Sequence, residues 1–129
     1  MKTYILYLRD RPFNAIKAGT KTIEGRVPTS WDTTPFKEMK KGEQITFIRE
    51  SDNEKLITIV RFIHHYPDVK TMLQIESVSN ILSSGGTIAT GIKSYHAIEE
   101  YKENIPIYGI YAIGIEYRAY SSFTYFSSD

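Results

Sequence analysis

The stretch Gly19-Thr20-Lys21-Thr22-Ile23-Glu24-Gly25-Arg26 joins a short helical pattern to an extended, polar one. Gly19 suits a left-handed helix stop, because it has no Cβ atom to clash in that conformation. Three charged side chains, those of Lys21, Glu24 and Arg26, leave the chain shortly after the stop. Such a group forms either a solvated edge or the floor of a binding site, and the other features of the sequence help to distinguish these two interpretations.

The composition is that of a globular domain. The 129 residues are 41% apolar and 24% charged, which is compatible with one domain and one core. A net charge of +1 argues against a large nonspecific DNA-binding surface. The chain has no cysteine, which excludes disulfides and thiolate metal sites. Its apolar runs are short and interrupted by charge, so we expect no membrane span and an intracellular, cytoplasmic protein.

Hydrophobic periodicity predicts strands separated by short helices. The expected strands are Thr3–Arg9, Lys21–Val27, Gln44–Arg49, Lys55–His65 and Tyr108–Arg118. The expected helices run from Asp10 to Gly19, from Pro67 to about Leu82 in two pieces, and from an N-cap at Ser94 to about Glu103, before a break at Ile105-Pro106. This order predicts an α+β fold, a small β-barrel of about five to six strands with short helical insertions.

We expect one domain over residues 1–119, followed by a tail over residues 120–129. The tail is rich in serine and aromatic residues and is either a frayed terminus or an added edge strand. Within the predicted strand Lys55–His65, alternation places Thr58, Val60 and Phe62 on one face.

Several motifs resemble a known family. Phe13-x-x-Ile16-x-x-Gly19-x-Lys21-Thr22-Ile23-Glu24-x-Arg26 resembles the signature of the ASCH domain, a member of the PUA-like superfamily. The turn Lys41-Gly42-Glu43-x-Ile45-x-Phe47 and the closing strand Tyr108-Gly109-Ile110-Tyr111-Ala112-Ile113 are also similar to that family, so the resemblance covers nearly the whole chain. It implies a PUA-like barrel whose cleft faces RNA, single-stranded nucleic acid or a modified nucleoside.

The resemblance implies that Lys21, Glu24 and Arg26 line the cleft. Glu24 offers an acceptor for an exocyclic amine, Arg26 a planar fork for phosphate or a stacking plane, and Lys21 a point charge. Trp31, in an aperiodic loop, is either a lid on the core or a stacking wall, and we expect Tyr95 to point into the same cleft. The alternative is an internal salt bridge, in which Glu24 holds Arg26 and shapes the barrel.

Some small ASCH-like proteins are amidohydrolases that remove acyl groups from N4-acylcytidine-type nucleosides. Lys21 falls on their lysine position, but Glu24 occupies the position of their threonine nucleophile, and a carboxylate cannot replace that hydroxyl without changing the mechanism. Thr22 is expected to point the same way as Glu24 and away from Lys21. Glu76 is a candidate for the family's distal glutamate. If the cleft hydrolyses an acyl amide or RNA, as an amidohydrolase or a ribonuclease, Lys21 would polarise the substrate or Glu24 would activate a water.

The sequence also bears on two other functions, metal binding and protein interaction. His64, His65 and His96 lack the spacing of a zinc site, so we expect neither a metal nor a cofactor. A protein-interaction module that uses exposed tyrosines of the last strand and the tail is a further alternative. The sequence leaves the oligomeric state open.

Overall fold

The computed structural model describes residues 2–118, so the predicted tail lies outside the described residues. The strands are β1 (Thr3–Leu8), β2 (Ile23–Arg26), β3 (Gln44–Arg49), β4 (Lys55–Tyr66) and β5 (Ile110–Tyr117). The helices are α1 (Asp10–Ala18), α2 (Val69–Glu76), α3 (Val78–Ile81), α4 (Ile88–His96) and α5 (Tyr101–Tyr108), with a 3₁₀ turn at Phe36–Glu38.

The five strands form one curled sheet, a half-barrel, in the order β1-β3-β4-β5-β2. β1 pairs with β3 in parallel, and the other three pairings are antiparallel. β1 and β2 are therefore the two edges of the sheet. The predicted α+β fold is confirmed.

Two hydrophobic clusters hold the sheet. The first includes Phe13 and Ile16 of α1, which pack with Phe47, Val60 and Ile113. The second lies under α2, α4 and α5. It contains, among others, Ile23, Tyr66, Met72, Leu73, Tyr95, Tyr101, Ile105 and Ala112. α1 thus packs on the cluster formed with β1, β3, β4 and β5, while α2, α4 and α5 pack on the other cluster, and burial of this apolar surface is the main force that holds the helices in place.

A bulge in β4 corrects the predicted face of Phe62. Val60 pairs with Ile115 of β5, and the next paired residue, Phe62, is opposite Gly114, so Arg61 is the extra residue. An extra residue shifts the alternation of side chains by one position. Phe62 consequently packs against the second cluster, whereas Val60 belongs to the first.

The predicted helix from Ser94 to Glu103 is wrong in its bounds. The N-cap of α4 is Thr87, seven residues before Ser94, and its side chain forms a reciprocal capping box with Thr90. Ser94 is inside α4, and Pro106 is inside α5 rather than at a break. Proline is tolerated there because it is the sixth residue of a helix of eight, so few backbone hydrogen bonds are affected.

Candidate functional site

Lys21, Glu24 and Arg26 meet at the start and along the length of β2. The helix before them ends at Gly19, whose φ of 83° is the left-handed conformation predicted for it. Lys21 Nζ lies 3.1 Å from Glu24 Oε1, and Arg26 Nε donates to Glu24 Oε2 at 2.8 Å. One carboxylate therefore joins both cations. The alternation of side chains in an extended strand predicts that Lys21 points away from Glu24. The long lysine side chain nevertheless reaches the Glu24 carboxylate.

All three side chains are buried. Those of Lys21, Glu24 and Arg26 are 4%, 8% and 7% exposed. Lys21 Nζ also donates to the carbonyl oxygens of Ile23 at 2.8 Å and Ile81 at 2.5 Å. Because an ammonium group has three N–H donors, Glu24 and the two carbonyls can occupy all of them.

Burial and pairing act against each other on these groups. Burial lowers the pKa of Lys21, although Glu24 opposes the shift. Burial alone would raise the pKa of Glu24, but Lys21 and Arg26 together lower it below its usual range. Burial alone would likewise lower the pKa of Arg26, and Glu24 outweighs it, so the net shift is upward. The carboxylate and the guanidinium are therefore both held in their charged forms.

Arg26 also connects the two edges of the sheet. Its Nη2 donates to the carbonyl oxygen of Tyr7 in β1 at 2.8 Å, and its Nη1 pairs with Asp32 at 3.2 Å. Since Tyr7 and Arg26 lie on opposite edge strands of the described sheet, the guanidinium bridges two strands that do not pair with each other there. The contacts are those of the salt-bridge alternative, in which Glu24 holds Arg26 and shapes the barrel.

Tyr95 and Trp31 belong to a row of aromatic rings beside β2. Tyr95 is buried against Gly25, where a Cβ atom would lie 2.5 Å from the tyrosine oxygen. Tyr101 is parallel to both Tyr95 and Trp31, with ring centroids 6.3 and 6.1 Å away. Burial raises the pKa of Tyr101 to about 12. Trp31 is 48% exposed, so it is the member of the row that presents aromatic surface to solvent.

A cavity of about 500 Å³ lies beside Lys21, between the end of α1, the start of β2, and strands β4 and β5. The residues that line it are Ile16, Gly19, Lys21, Thr22, Ile23, Arg61, Phe62, Glu76, Asn80, Ile115, Glu116 and Tyr117. The structure thus brings the predicted residue Lys21 to the cavity. Glu24, Arg26, Trp31 and Tyr95 are not among its lining residues.

The candidate distal glutamate also lies at the cavity, with partners that the sequence did not indicate. Glu76, at the end of α2, accepts a hydrogen bond from the Tyr66 hydroxyl and is paired with His64 Nδ1. His64 stacks on Phe62, with ring centroids 4.2 Å apart. A signal was present in the sequence, because His64 and Tyr66 are two residues apart on one strand, but their partner lies on a separate helix.

Among residues 2–118, no group of three histidine, aspartate or glutamate side chains is placed to hold a metal ion. His64 binds Glu76, whereas His65 Nε2 contacts the carbonyl oxygen of Tyr108. In the same part of the chain, no helix is long and apolar enough to cross a membrane.

The curled five-strand sheet, with helices packed on it and a charged motif on its edge strand, defines a PUA-like barrel. The family model of the ASCH domain matches residues 6–122, and the chain belongs to the ASCH domain family.

Two solved structures are similar to this chain. The crystal structure of hypothetical protein PH0355 has 32% sequence identity and a TM-score of 0.77, over 91% of this chain and 100% of that one. The solution NMR structure of protein PF0455 from Pyrococcus furiosus has 29% identity and a TM-score of 0.67, over 92% and 100%. No curated protein sequence matches the chain at a significant level.

Proposed function

We propose that the protein binds a nucleobase, either of a modified nucleoside or of unpaired RNA, in the cavity beside Lys21. The observation that carries this proposal is the cavity itself. Its volume of about 500 Å³ falls in the range of small-molecule sites, and it lies at the motif that defines the family.

The wall of the cavity has the chemistry that a nucleobase requires. Phe62 and Tyr117 supply aromatic surface, while Thr22 and Asn80 supply neutral hydrogen-bonding groups. The charged side chains are balanced, since two cations and two carboxylates line the space: Lys21, Arg61, Glu76 and Glu116. Such a wall suits a neutral, planar, polar ring better than a polyanion.

In this proposal the buried ion pairs hold the wall of the cavity in position and do not bind the ligand directly through unpaired charges. Lys21 is held by Glu24 and two carbonyls, and Glu24 is held in turn by Arg26. The network therefore gives the cavity a rigid edge. Trp31 and Tyr95 contribute differently: Tyr95 supports β2 from behind, and the exposed Trp31 ring stacks a neighbouring base when the ligand is a strand of RNA.

The experiment is a calorimetric titration with cytidine, N4-acetylcytidine and a short single-stranded RNA. Thr22→Trp fills the cavity from an exposed position without touching the buried network. We expect it to weaken binding of every ligand at least about tenfold, a loss of 1.4 kcal/mol. Thr3→Trp is the matched control, because Thr3 is an exposed residue of β1 that does not line the cavity.

Equal binding by both tryptophan variants would show that the ligand lies elsewhere, and no binding of any ligand would overturn the proposal. The variant Trp31→Ala distinguishes a nucleoside ligand from an RNA ligand. That variant should weaken binding of the RNA and leave binding of the nucleosides unchanged.

A second candidate function is hydrolysis of an acyl group from a nucleoside bound in the same cavity. The observation that favours it is that Lys21 and Glu76, the lysine and the candidate distal glutamate, line one space. Glu24, at the position of the family's threonine, is fully engaged by Lys21 and Arg26. The test is release of acetate from N4-acetylcytidine. If the nucleoside binds but no acetate is released, the hydrolytic function is contradicted and only the binding function is supported.

A further inference from the structure

His64 and Glu76 form a pair that neither candidate function has yet used. Glu76 Oε2 receives two contacts, one from the Tyr66 hydroxyl and one from His64 Nδ1. The Glu76 side chain is largely buried and lines the cavity, whereas the His64 side chain is 49% exposed. His64 is not itself a lining residue, but it contacts two residues that are, Glu76 and Phe62.

The contacts of His64 decide which nitrogen is free. A carboxylate accepts hydrogen bonds, so Nδ1 carries the proton that Glu76 binds, and Nε2 keeps its lone pair. Phe62 covers one face of the imidazole at 4.2 Å, and Tyr66 approaches it edge-on at 6.4 Å. Among residues 2–118 no protein group forms a hydrogen bond with Nε2, and the side chain as a whole is half exposed.

This arrangement is that of a general base. A carboxylate on Nδ1 fixes the tautomer and the orientation of the ring and stabilises the imidazolium that forms when Nε2 takes a proton. By contrast, the ammonium group of Lys21 has its donors occupied, and both oxygens of Glu24 are paired. Compared with Lys21 and Glu24, His64 next to the cavity combines an oriented base with exposure to water.

We propose that His64 is the general base, and Glu76 its positioning residue, for hydrolysis of an acyl ester or amide whose planar leaving group occupies the cavity. This inference rests on the hydrolytic candidate function. Nε2 accepts a proton from water as the water oxygen bonds to the acyl carbon. The bond from that carbon to the leaving nitrogen or oxygen then breaks, and the leaving atom takes the proton from Nε2. The products are the free amine or alcohol and a carboxylic acid, which loses its proton to solvent.

The experiment measures hydrolysis of N4-acetylcytidine and of p-nitrophenyl acetate by the full chain, against the buffer rate. His64→Gln should lower kcat by about 10²-fold or more, with KM little changed. Glu76→Gln should lower kcat less, and His65→Gln is the matched control with no expected effect.

A readout independent of activity is the histidine tautomer, seen by NMR of ¹⁵N-labelled histidine. The wild type should show His64 with the proton on Nδ1, and Glu76→Gln should change the tautomer population while His65 is unaffected. Hydrolysis that survives His64→Gln, or a proton on Nε2 in the wild type, would overturn the inference. Cytidine binding without hydrolysis of either probe would also overturn it, and would leave the nucleobase-binding function standing.

Discussion

Glu24 is the residue on which the charged motif depends, because it is the one carboxylate that touches both Lys21 and Arg26. A buried ion pair costs desolvation free energy that its mutual attraction must offset. Removing one partner is worse than removing all of them, since the remaining charges stay buried without compensation. The motif is therefore sensitive to single substitutions at its centre.

We expect Glu24→Gln to lower the free energy of unfolding by about 3–5 kcal/mol, because Lys21 and Arg26 lose their shared counter-charge. Glu54→Gln is the control, since Glu54 also lies between a lysine and an arginine, Lys17 and Arg49, but near the surface. Urea unfolding should show a far smaller effect there. Equal losses in the two variants would contradict the view that burial makes the difference.

The same carboxylate gives stability a dependence on pH. The folded-state pKa of Glu24 lies below its unfolded value, so its contribution is fully present above the unfolded pKa of about 4.3. It is lost as the pH falls through the folded-state pKa. The stability gap between the wild type and Glu24→Gln should therefore be largest at neutral pH and should narrow below about pH 4. A gap that stays constant in urea titrations from neutral to acid pH would contradict the assignment.

At the scale of elements, the central feature is the seam between the edge strands β1 and β2. Within residues 2–118, backbone pairing does not join these two strands, and the Arg26 guanidinium reaches from one to the Tyr7 carbonyl on the other. A lysine would keep the positive charge but lose the planar fork that reaches Glu24, Asp32 and Tyr7 together. The shape of the half-barrel thus depends on the geometry of this side chain as well as its charge.

Arg26→Lys should lower the free energy of unfolding by about 2–4 kcal/mol, because two charge-assisted hydrogen bonds lose their donors. It should also speed amide hydrogen exchange in β1 and β2 relative to β3. Arg61→Lys is the control, since Arg61 is exposed and pairs with Glu116 at the surface. Unchanged exchange in β1 would show that the seam does not need the guanidinium.

The elements also show what the sequence could and could not predict. Gly19 as a helix stop and the strand Gln44–Arg49 follow from local patterns. The contact of Lys21 with Glu24 does not, because strand alternation predicts that the two side chains point to opposite sides. The bulge at Arg61 does not, because an extra residue in one strand is defined by the register of its partner. The extra residue Arg61 turns Phe62 toward the cavity, so the sequence did not predict that Phe62 lines it.

For the whole molecule, charge limits the kind of ligand. The net charge is only +1, and two cations and two carboxylates line the cavity, so the cavity wall itself is not a basic track for a phosphate backbone. Membership of the ASCH domain family and the PUA-like fold agree with a compact site. The pairing of His64 with Glu76 was beyond sequence-based prediction, because it joins a strand to a helix through tertiary packing.

Binding of a short single-stranded RNA should accordingly depend weakly on salt. We expect the logarithm of the association constant to fall with the logarithm of salt concentration at a slope of about −1 to −2, which corresponds to about one to three phosphates. Titrations at several sodium chloride concentrations measure this slope. A slope several times steeper would mean that a polyanion, and not a base, is the main object of recognition.

The most direct test of the central claim is a ¹⁵N–¹H correlation spectrum of the protein recorded during titration with cytidine. If a nucleobase occupies the cavity, the largest shifts should fall on the backbone amides of Gly19, Thr22, Asn80 and Glu116, which surround it. Shifts confined to the loop around Trp31, or spectra that do not change at millimolar cytidine, would contradict the account.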